Sequence, residues 1–326
     1  MNDLLKDRAP NIDELVRKLE ICGYKFLRFE INCDDECLPV DVEWNYKDLV
    51  HVGFVHSHMS RQFLYTGKNI YTTIDLQKFL GITLPQSGVF YVTDDNRIVV
   101  HTTLFFYVIF VEIHSEQIGE MLTRTETHYA VGARSWFLNL FSPLLRFVIS
   151  RNWSRFIKDD RPMRSRRGDL RKQGFEIGDV SPIDHRATLN IADVGIKLPS
   201  TMTSIEERIS EFVVPDHIGQ TQLVGDADHF GVQVQFDEGE IRIFPRLCTH
   251  RGASLDMKES IGSSVVCPWH GRKFSPLARI EIDQGAQSFE GPFHHCKYDG
   301  EKLMIRTRAN VASTDSIDWT AEWARV

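Results

Sequence analysis

Two segments in the C-terminal half of this chain carry residues suited to metal chemistry. They are Cys248-Thr249-His250-Arg251-Gly252 and Cys267-Pro268-Trp269-His270-Gly271. Two thiolates and two imidazoles on paired loops can hold a metal. Structural zinc usually takes C-x2-4-C and H-x3-5-H pairs, which C-x-H followed by C-x2-H does not supply. A [2Fe–2S] centre with two Cys on one iron and two His on the other fits the set better. Gly252 and Gly271 let the backbone turn tightly beside it. A second set lies in the N-terminal half, where Asp48 and His51 stand at i, i+3 on one helix face. His51 and His56 are about 140° apart on a regular helix. They converge only if the helix ends or bulges between them, for which Gly53 is a suitable place. A regular helix pairs His51 with His58 instead, so spacing alone leaves both open.

CTHRG…CPWHG resembles the Rieske iron–sulfur motif, over roughly residues 205–310. The resemblance implies that Cys248 and Cys267 bind one iron and His250 and His270 the other. Respiratory Rieske proteins add a disulfide beside the cluster. This chain has Ala253 and Trp269 in the neighbourhood and no such pair, which favours the oxygenase or ferredoxin branch. Asn45-x2-Asp48-x2-His51-x4-His56-Ser57 is similar to the mononuclear-iron motif of Rieske non-haem oxygenases, in the manner of the dicamba monooxygenase and vanillate demethylase branch. By that resemblance His51 and His56 ligate Fe(II), and Asp48 links the site to an arriving cluster. The third ligand is a carboxylate in Phe156-Ile157-Lys158-Asp159-Asp160-Arg161: Asp160 by preference, Asp159 the alternative. Two His and one carboxylate leave open positions for O2. Read without the resemblance, the same Asp pair before Pro162 caps a helix. One feature departs from the family, whose Rieske domain comes first. Here it comes second. The family's homo-oligomer, a trimeric ring passing electrons between subunits, is carried over with that reservation, and transfer within one chain is the alternative.

The rest of the chain must position these residues. At 326 residues it has room for about two domains. With 42% hydrophobic and 25% charged residues it is globular, and its net charge of −7 argues against a nucleic-acid partner. Six Cys are too sparse for a disulfide scaffold, while thirteen His leave room for metal sites. The N-terminus has no apolar signal segment, and Thr103–Ile113 is too short to span a bilayer. The expectation is a cytoplasmic protein with no membrane partner.

Apolar spacing predicts a helix within residues 1–20, a strand over 25–31 and an acidic loop over 33–37. A helix follows over 42–60. An antiparallel sheet is expected over 70–131, with turns at 85–88 and 94–96. Residues 135–174 read as a helix broken near Pro162, and 219–306 as short strands. The expected fold class is α+β. A helix-grip (START-like) catalytic domain spans 1–175, a linker 176–215, a small antiparallel β Rieske domain 216–310, and a tail 311–326 with Trp319, Trp323 and Val326 at helical spacing.

The resemblance implies an oxygenase that hydroxylates or oxidatively demethylates a small, largely apolar substrate. The chain has no G-x-G-x-x-G after a strand and no flavin motif. Its electrons are therefore expected from an external NAD(P)H reductase, with or without a ferredoxin. The alternatives are a Rieske electron carrier fused to a non-catalytic ligand-binding domain and, more remotely, a zinc-stabilised regulator. Residues 146–172 carry ten Lys or Arg against three Asp, a candidate docking patch for an acidic electron donor. Cys33 and Cys37 read as structural, His294-His295-Cys296 as a strand or loop near the cluster, and the aromatic residues of 104–107 as core or pocket wall.

Overall fold

The computed structural model describes residues 11–48, 51–56, 59–66, 70–79, 82–93, 97–104, 106–177, 196–197, 205–229, 231–248, 251–256, 264–291 and 294–309. The chain divides into two compact units, residues 1–169 with 179–189 and residues 170–178 with 190–326.

The N-terminal unit starts with α1 (Ile12–Ile21), whose first turn is capped by the Asn11 side chain accepting the Glu14 N–H. Its apolar stripe, centred on buried Val16, packs on Phe110 and Ala130. Then come β1 (Lys25–Asp35), α2 (Pro39–Lys47), α3 (Val52–Val55), β2 (Met59–Thr66), β3 (Ile70–Phe79), β4 (Ile82–Val92), β5 (Arg97–Leu104), β6 (Tyr107–Gly119), β7 (Leu122–Ala133), α4 (Trp136–Leu140) and α5 (Ser142–Lys172). The strands form one antiparallel sheet in the order β1-β7-β6-β5-β4-β3-β2. Side chains alternate across a sheet, so register aligns one inner row across six strands: Phe29, Tyr129, Val111, Val100, Phe90 and Tyr71. Leu145, Ile149 and Trp153 of α5 pack against this face. A curved sheet closed on one long helix is the expected helix-grip arrangement.

Several local expectations change. The acidic segment 33–35 is no loop but the end of β1, paired with β7. Asp34 accepts two hydrogen bonds from Arg124, at 3.0 and 3.1 Å, and Asp35 lies between Arg161 and Arg164. The helix expected over 42–60 is split into α2, the single turn α3 and the start of β2. The turn expected at 85–88 lies inside β4. Pro85 falls where β4 has β3 as its neighbour but no β5 pairing, so its missing N–H breaks no second ladder. Gly88 is there for space, since a Cβ would lie 2.8 Å from the Phe90 ring. The 94–96 turn and the 311–326 tail lie outside the described residues.

Pro162 does not break α5. An internal proline costs a helix about 3 kcal/mol. Contacts on both sides of it offset that cost: Arg161 and Arg164 both hold Asp35, and Met163 is buried. One turn further on, Gly168 passes so close to β1 and α2 that a Cβ would lie 2.3 Å from the Glu36 carbonyl oxygen. Gly168→Ala should therefore destabilise the unit by about 2 kcal/mol despite the better helix propensity of alanine. That corresponds to a Tm lowered by roughly 4–8 °C. An unchanged or higher Tm would show that the contact yields freely.

The C-terminal unit contains the short pair β8 (Glu176–Ile177) and β9 (Ile196–Lys197), then β10 (Ile205–Val213), β11 (Thr221–Val224), β12 (Val232–Phe236), β13 (Glu240–Pro245), β14 (Val265–Val266), β15 (Lys273–Phe274), β16 (Ala278–Glu281), β17 (Gln287–Glu290), β18 (His294–Tyr298) and β19 (Lys302–Ala309). Two four-stranded antiparallel sheets, β10-β19-β18-β17 and β11-β12-β13-β16, enclose a core that includes Val234, Phe236, Ile243, Tyr298 and Ile305. Strand β10 falls in the segment read as linker. It is an edge strand with Arg208 and Ile209 exposed, which hides the usual apolar alternation.

His294 stands on β18, and burial, with a smaller push from His295, lowers its pKa from the usual value to about 4. The folded unit thus favours the neutral ring. That contribution is complete above the unfolded pKa of about 6.5 and is lost as pH falls toward 4, at a total of about 3 kcal/mol. Urea unfolding across this window should show a smaller loss of stability for His294→Met than for the parent. Equal losses would rule out His294 as the cause.

Candidate metal centres

In the N-terminal unit, α2 ends at Asp48, and His51 and His56 flank the one-turn α3. His56 has left the helical region, with φ −96° and ψ 87°, which turns its ring back toward that of His51. The ring centroids are 5.5 Å apart. The helix therefore ends at His56 rather than bulging at exposed Gly53. His58 lies outside the described residues.

Asp160 of α5 meets both rings. Its Oδ1 is 3.3 Å from His51 Nε2 and 3.0 Å from His56 Nε2. One ligand atom from each of the three lies within 4.8 Å of the others, and all three residues are buried. The other ring nitrogens are committed. His51 Nδ1–H donates to the Asp48 carbonyl, an acceptor only, so Nε2 carries the lone pair. His56 Nδ1 is 3.4 Å from Asp159 Oδ2. A metal-binding His is held in the same way, by a carbonyl or carboxylate on its far nitrogen. Asp159 and Asp160 thus occupy different places, Asp160 inside the cluster and Asp159 behind His56.

Arg164, fully buried and one turn after Asp160, organises the wall of this site. Its Nε and Nη2 donate to Asn45 Oδ1 at 3.0 and 2.8 Å, and its Nη1 donates to Asp35 Oδ2 at 2.9 Å. Its guanidinium lies 5.0 Å from the Tyr46 ring centroid and Nη2 3.7 Å from Asp160 Oδ2. Burial pushes the Asp160 carboxyl up, but the two histidines, in their charged form, and Arg164 outweigh it and hold the group well below the carboxylate range. Arg167 is buried likewise, on Asp41 at 2.9 Å and over Trp44. The basic run 146–172 is therefore partly internal, and Arg164 and Arg167 belong to no surface patch.

The cluster lines a cavity of about 180 Å³. His51, His56, Asn45 and Asp160 are among its lining residues. The walls include Tyr71, Phe90, Tyr129, Trp153 and Phe156, with Asp75, Gln86 and Thr102 also lining it. The pocket aromatics and Arg164 carry no motif of their own. Arg164 had one sequence signal, its i, i+4 spacing from Asp160.

In the C-terminal unit the two motif loops match each other in backbone bonding. Cys248 N–H donates to Ala253 O and Cys267 N–H to Arg272 O, at 2.8 and 2.7 Å. The Gly252 and Gly271 amides return to the Cys248 and Cys267 carbonyls at 2.8 and 2.9 Å, with φ of 85° and 65°. Such positive φ favours glycine. Both thiols are buried and hydrogen-bonded to each other, which, with burial, pushes the Cys267 thiol far up. Backbone N–H groups of Trp269 and His270 oppose that shift. Two buried thiols side by side, with N–H donors beside Cys267, suit a cationic iron–sulfur centre. His270 is half-buried on the same loop. His250 lies outside the described residues. All six cysteines are free of disulfides.

Residues 210–315 match the family described as the Rieske [2Fe-2S] domain. A search of curated protein sequences finds no match. Among solved structures, the Zhui aromatase/cyclase from Streptomyces sp. R1128 is similar at 12% identity and a TM-score of 0.40, over 44% of this chain and 96% of that one. A START superfamily protein from Mycobacterium smegmatis matches at 8% identity and a TM-score of 0.37, over 42% and 96%. The di-domain ARO/CYC BexL, of the BE-7585A biosynthetic pathway, matches at 10% and 0.36, over 92% of both chains. Among the described residues no helix is long and apolar enough to cross a membrane.

Proposed function

We propose that this chain is a Rieske-type oxygenase component that uses O2 and electrons from an external NAD(P)H reductase to hydroxylate or oxidatively demethylate a small, largely apolar substrate. One observation carries the reading: His51, His56 and Asp160 cluster three ligand atoms in the wall of an aromatic-lined cavity, in a chain that also bears a Rieske domain.

His51 Nε2, His56 Nε2 and Asp160 Oδ1 would hold ferrous iron, and Cys248, His250, Cys267 and His270 the cluster. When bound, the iron would supply O2-activating chemistry and the cluster one-electron redox chemistry. The residues around them do the rest. The Asp48 carbonyl and the Asp159 carboxylate fix the two imidazoles, and Arg164 draws Asp160 Oδ2 away from them. Tyr71, Phe90, Tyr129 and Trp153 exclude water and hold an apolar substrate against the ligand face.

Iron and sulfide analysis of the reconstituted chain, with visible and EPR spectra, tests this. The expected result is a [2Fe–2S] cluster plus one further iron per chain. A cluster without that iron would instead support an electron carrier fused to a ligand-binding domain. Zinc without iron would support neither.

A further inference from the structure

The helix that closes the cavity has a second face. On α4 and the first turns of α5, Trp136 is 71% exposed, Phe137 53%, Leu140 65%, Phe141 46%, Leu144 60% and Phe147 61%. At about 100° per residue Trp136, Phe137 and Leu140 fall within an arc of about 100° on α4, and Leu144 and Phe147 within about 60° on α5, with Phe141 in the turn between the two helices. Arg151, Arg155 and Lys158 continue the same face and are exposed. The cavity-lining Ile149, Trp153 and Phe156 lie on the opposite face. This helix pair is therefore apolar on both sides, although an ordinary surface helix keeps its outer side polar. The six side chains expose on the order of 600 Å² of apolar surface, at the top of the range for a typical monomer's largest patch. No Asp or Glu occurs anywhere from residue 134 to 158, while Arg134, Arg146, Arg151, Arg155 and Lys158 do.

The geometry points to a peripheral membrane-docking face: α4 and the N-terminal part of α5 lie in the interface of an anionic lipid bilayer, with the cavity on the other side of the helix. Large aromatic and aliphatic side chains on one face, with cations and no acids, match an interfacial helix. The charges choose among occupants. A second copy meeting this face through a two-fold axis would set the same cations against themselves, whereas anionic headgroups neutralise them. Transient electron-transfer contacts are small, so six protruding apolar side chains are a poor match for an acidic redox donor. The inference stands apart from the oxygenase reading, since it needs no metal at either centre. It runs counter to the expectation of no membrane partner.

The test is co-sedimentation of the full chain with phosphatidylcholine vesicles, with and without phosphatidylglycerol. The parent should bind the anionic vesicles and be released by salt. Phe141→Glu with Leu144→Glu should remove binding, with near-UV circular dichroism unchanged. Arg151→Gln with Arg155→Gln and Lys158→Gln should weaken it by about fivefold per charge, confined to the anionic vesicles. A parent that stays in the supernatant with both vesicle types overturns the proposal. So does light scattering that shows a vesicle-independent oligomer dispersed by the Phe141→Glu, Leu144→Glu pair, which would make the face a contact between copies. Vesicle binding that survives the Glu pair also overturns it.

Discussion

Replacing Arg164 by methionine should lower the stability of the N-terminal unit by about 3–5 kcal/mol, the usual cost of breaking a buried charge pair from one side. The substitution keeps much of the volume and removes the charge. Asp35, 1% exposed, keeps Arg161 at 3.0 Å and the weaker Cys33 thiol at 3.7 Å, and Asn45 Oδ1 loses both its Arg164 donors. Asp160 loses the cation next to Oδ2. Differential scanning calorimetry should show the transition of this unit lowered by roughly 10 °C. Adding Asp35→Asn should recover part of the loss, because the carboxylate stranded by the first change is then neutral, and a double-mutant cycle isolates that coupling. A loss below about 1 kcal/mol would mean that water reaches the network and screens it as at a surface.

Arg164 also shows where sequence reading loses sight of a fold. In the chain it is one of ten cations in a basic run, and on charge alone such a run reads as a solvated surface. What separates it from Lys158 is the partner it meets: Asp35, 129 residues earlier. The acidic segment 33–35 looked like a loop for the same reason. Its charges face the cations of Arg124, Arg161 and Arg164, and neither half of those pairs declares the other. Pro85 and Pro162 are alike in breaking nothing, because proline sets a local cost while neighbouring strands and ion pairs decide whether the element continues. Features written into short spacings were legible. The alternating β-rich run became the sheet, and the 45–56 segment placed His51 and His56 together at the cavity. The Cys-Gly spacing of each loop gave its turn. The break that makes His51 and His56 converge was foreseen at Gly53. It arises because α3 is a single turn between two histidines, with its end set by the backbone of His56.

Removing Asp160 should separate the two candidate metal centres. Among the three clustered residues it is the sole anion, and both imidazoles point their Nε2 at the same oxygen. Asp160→Ala should weaken binding of Fe(II), or of Co(II) as an optical probe, by at least about a hundredfold, the upper figure for the loss of a mere outer-shell partner. The visible and EPR signals of the cluster should persist, because Cys248 and Cys267 are held by their own loops in the other unit. Asp159→Ala should behave differently. It leaves every clustered ligand atom in place and frees the far nitrogen of His56, so the metal should remain with affinity reduced by about tenfold. The comparison has force because the two carboxylates are adjacent in sequence and carry the same charge. A general electrostatic effect would weaken binding equally in both variants, whereas ligation singles out one. If Asp159→Ala loses the metal and Asp160→Ala keeps it, the carboxylate ligand is Asp159, and the cluster rearranges on binding. If both keep it at parent affinity, His51 and His56 hold the metal without either, and the three-ligand reading of the site is wrong.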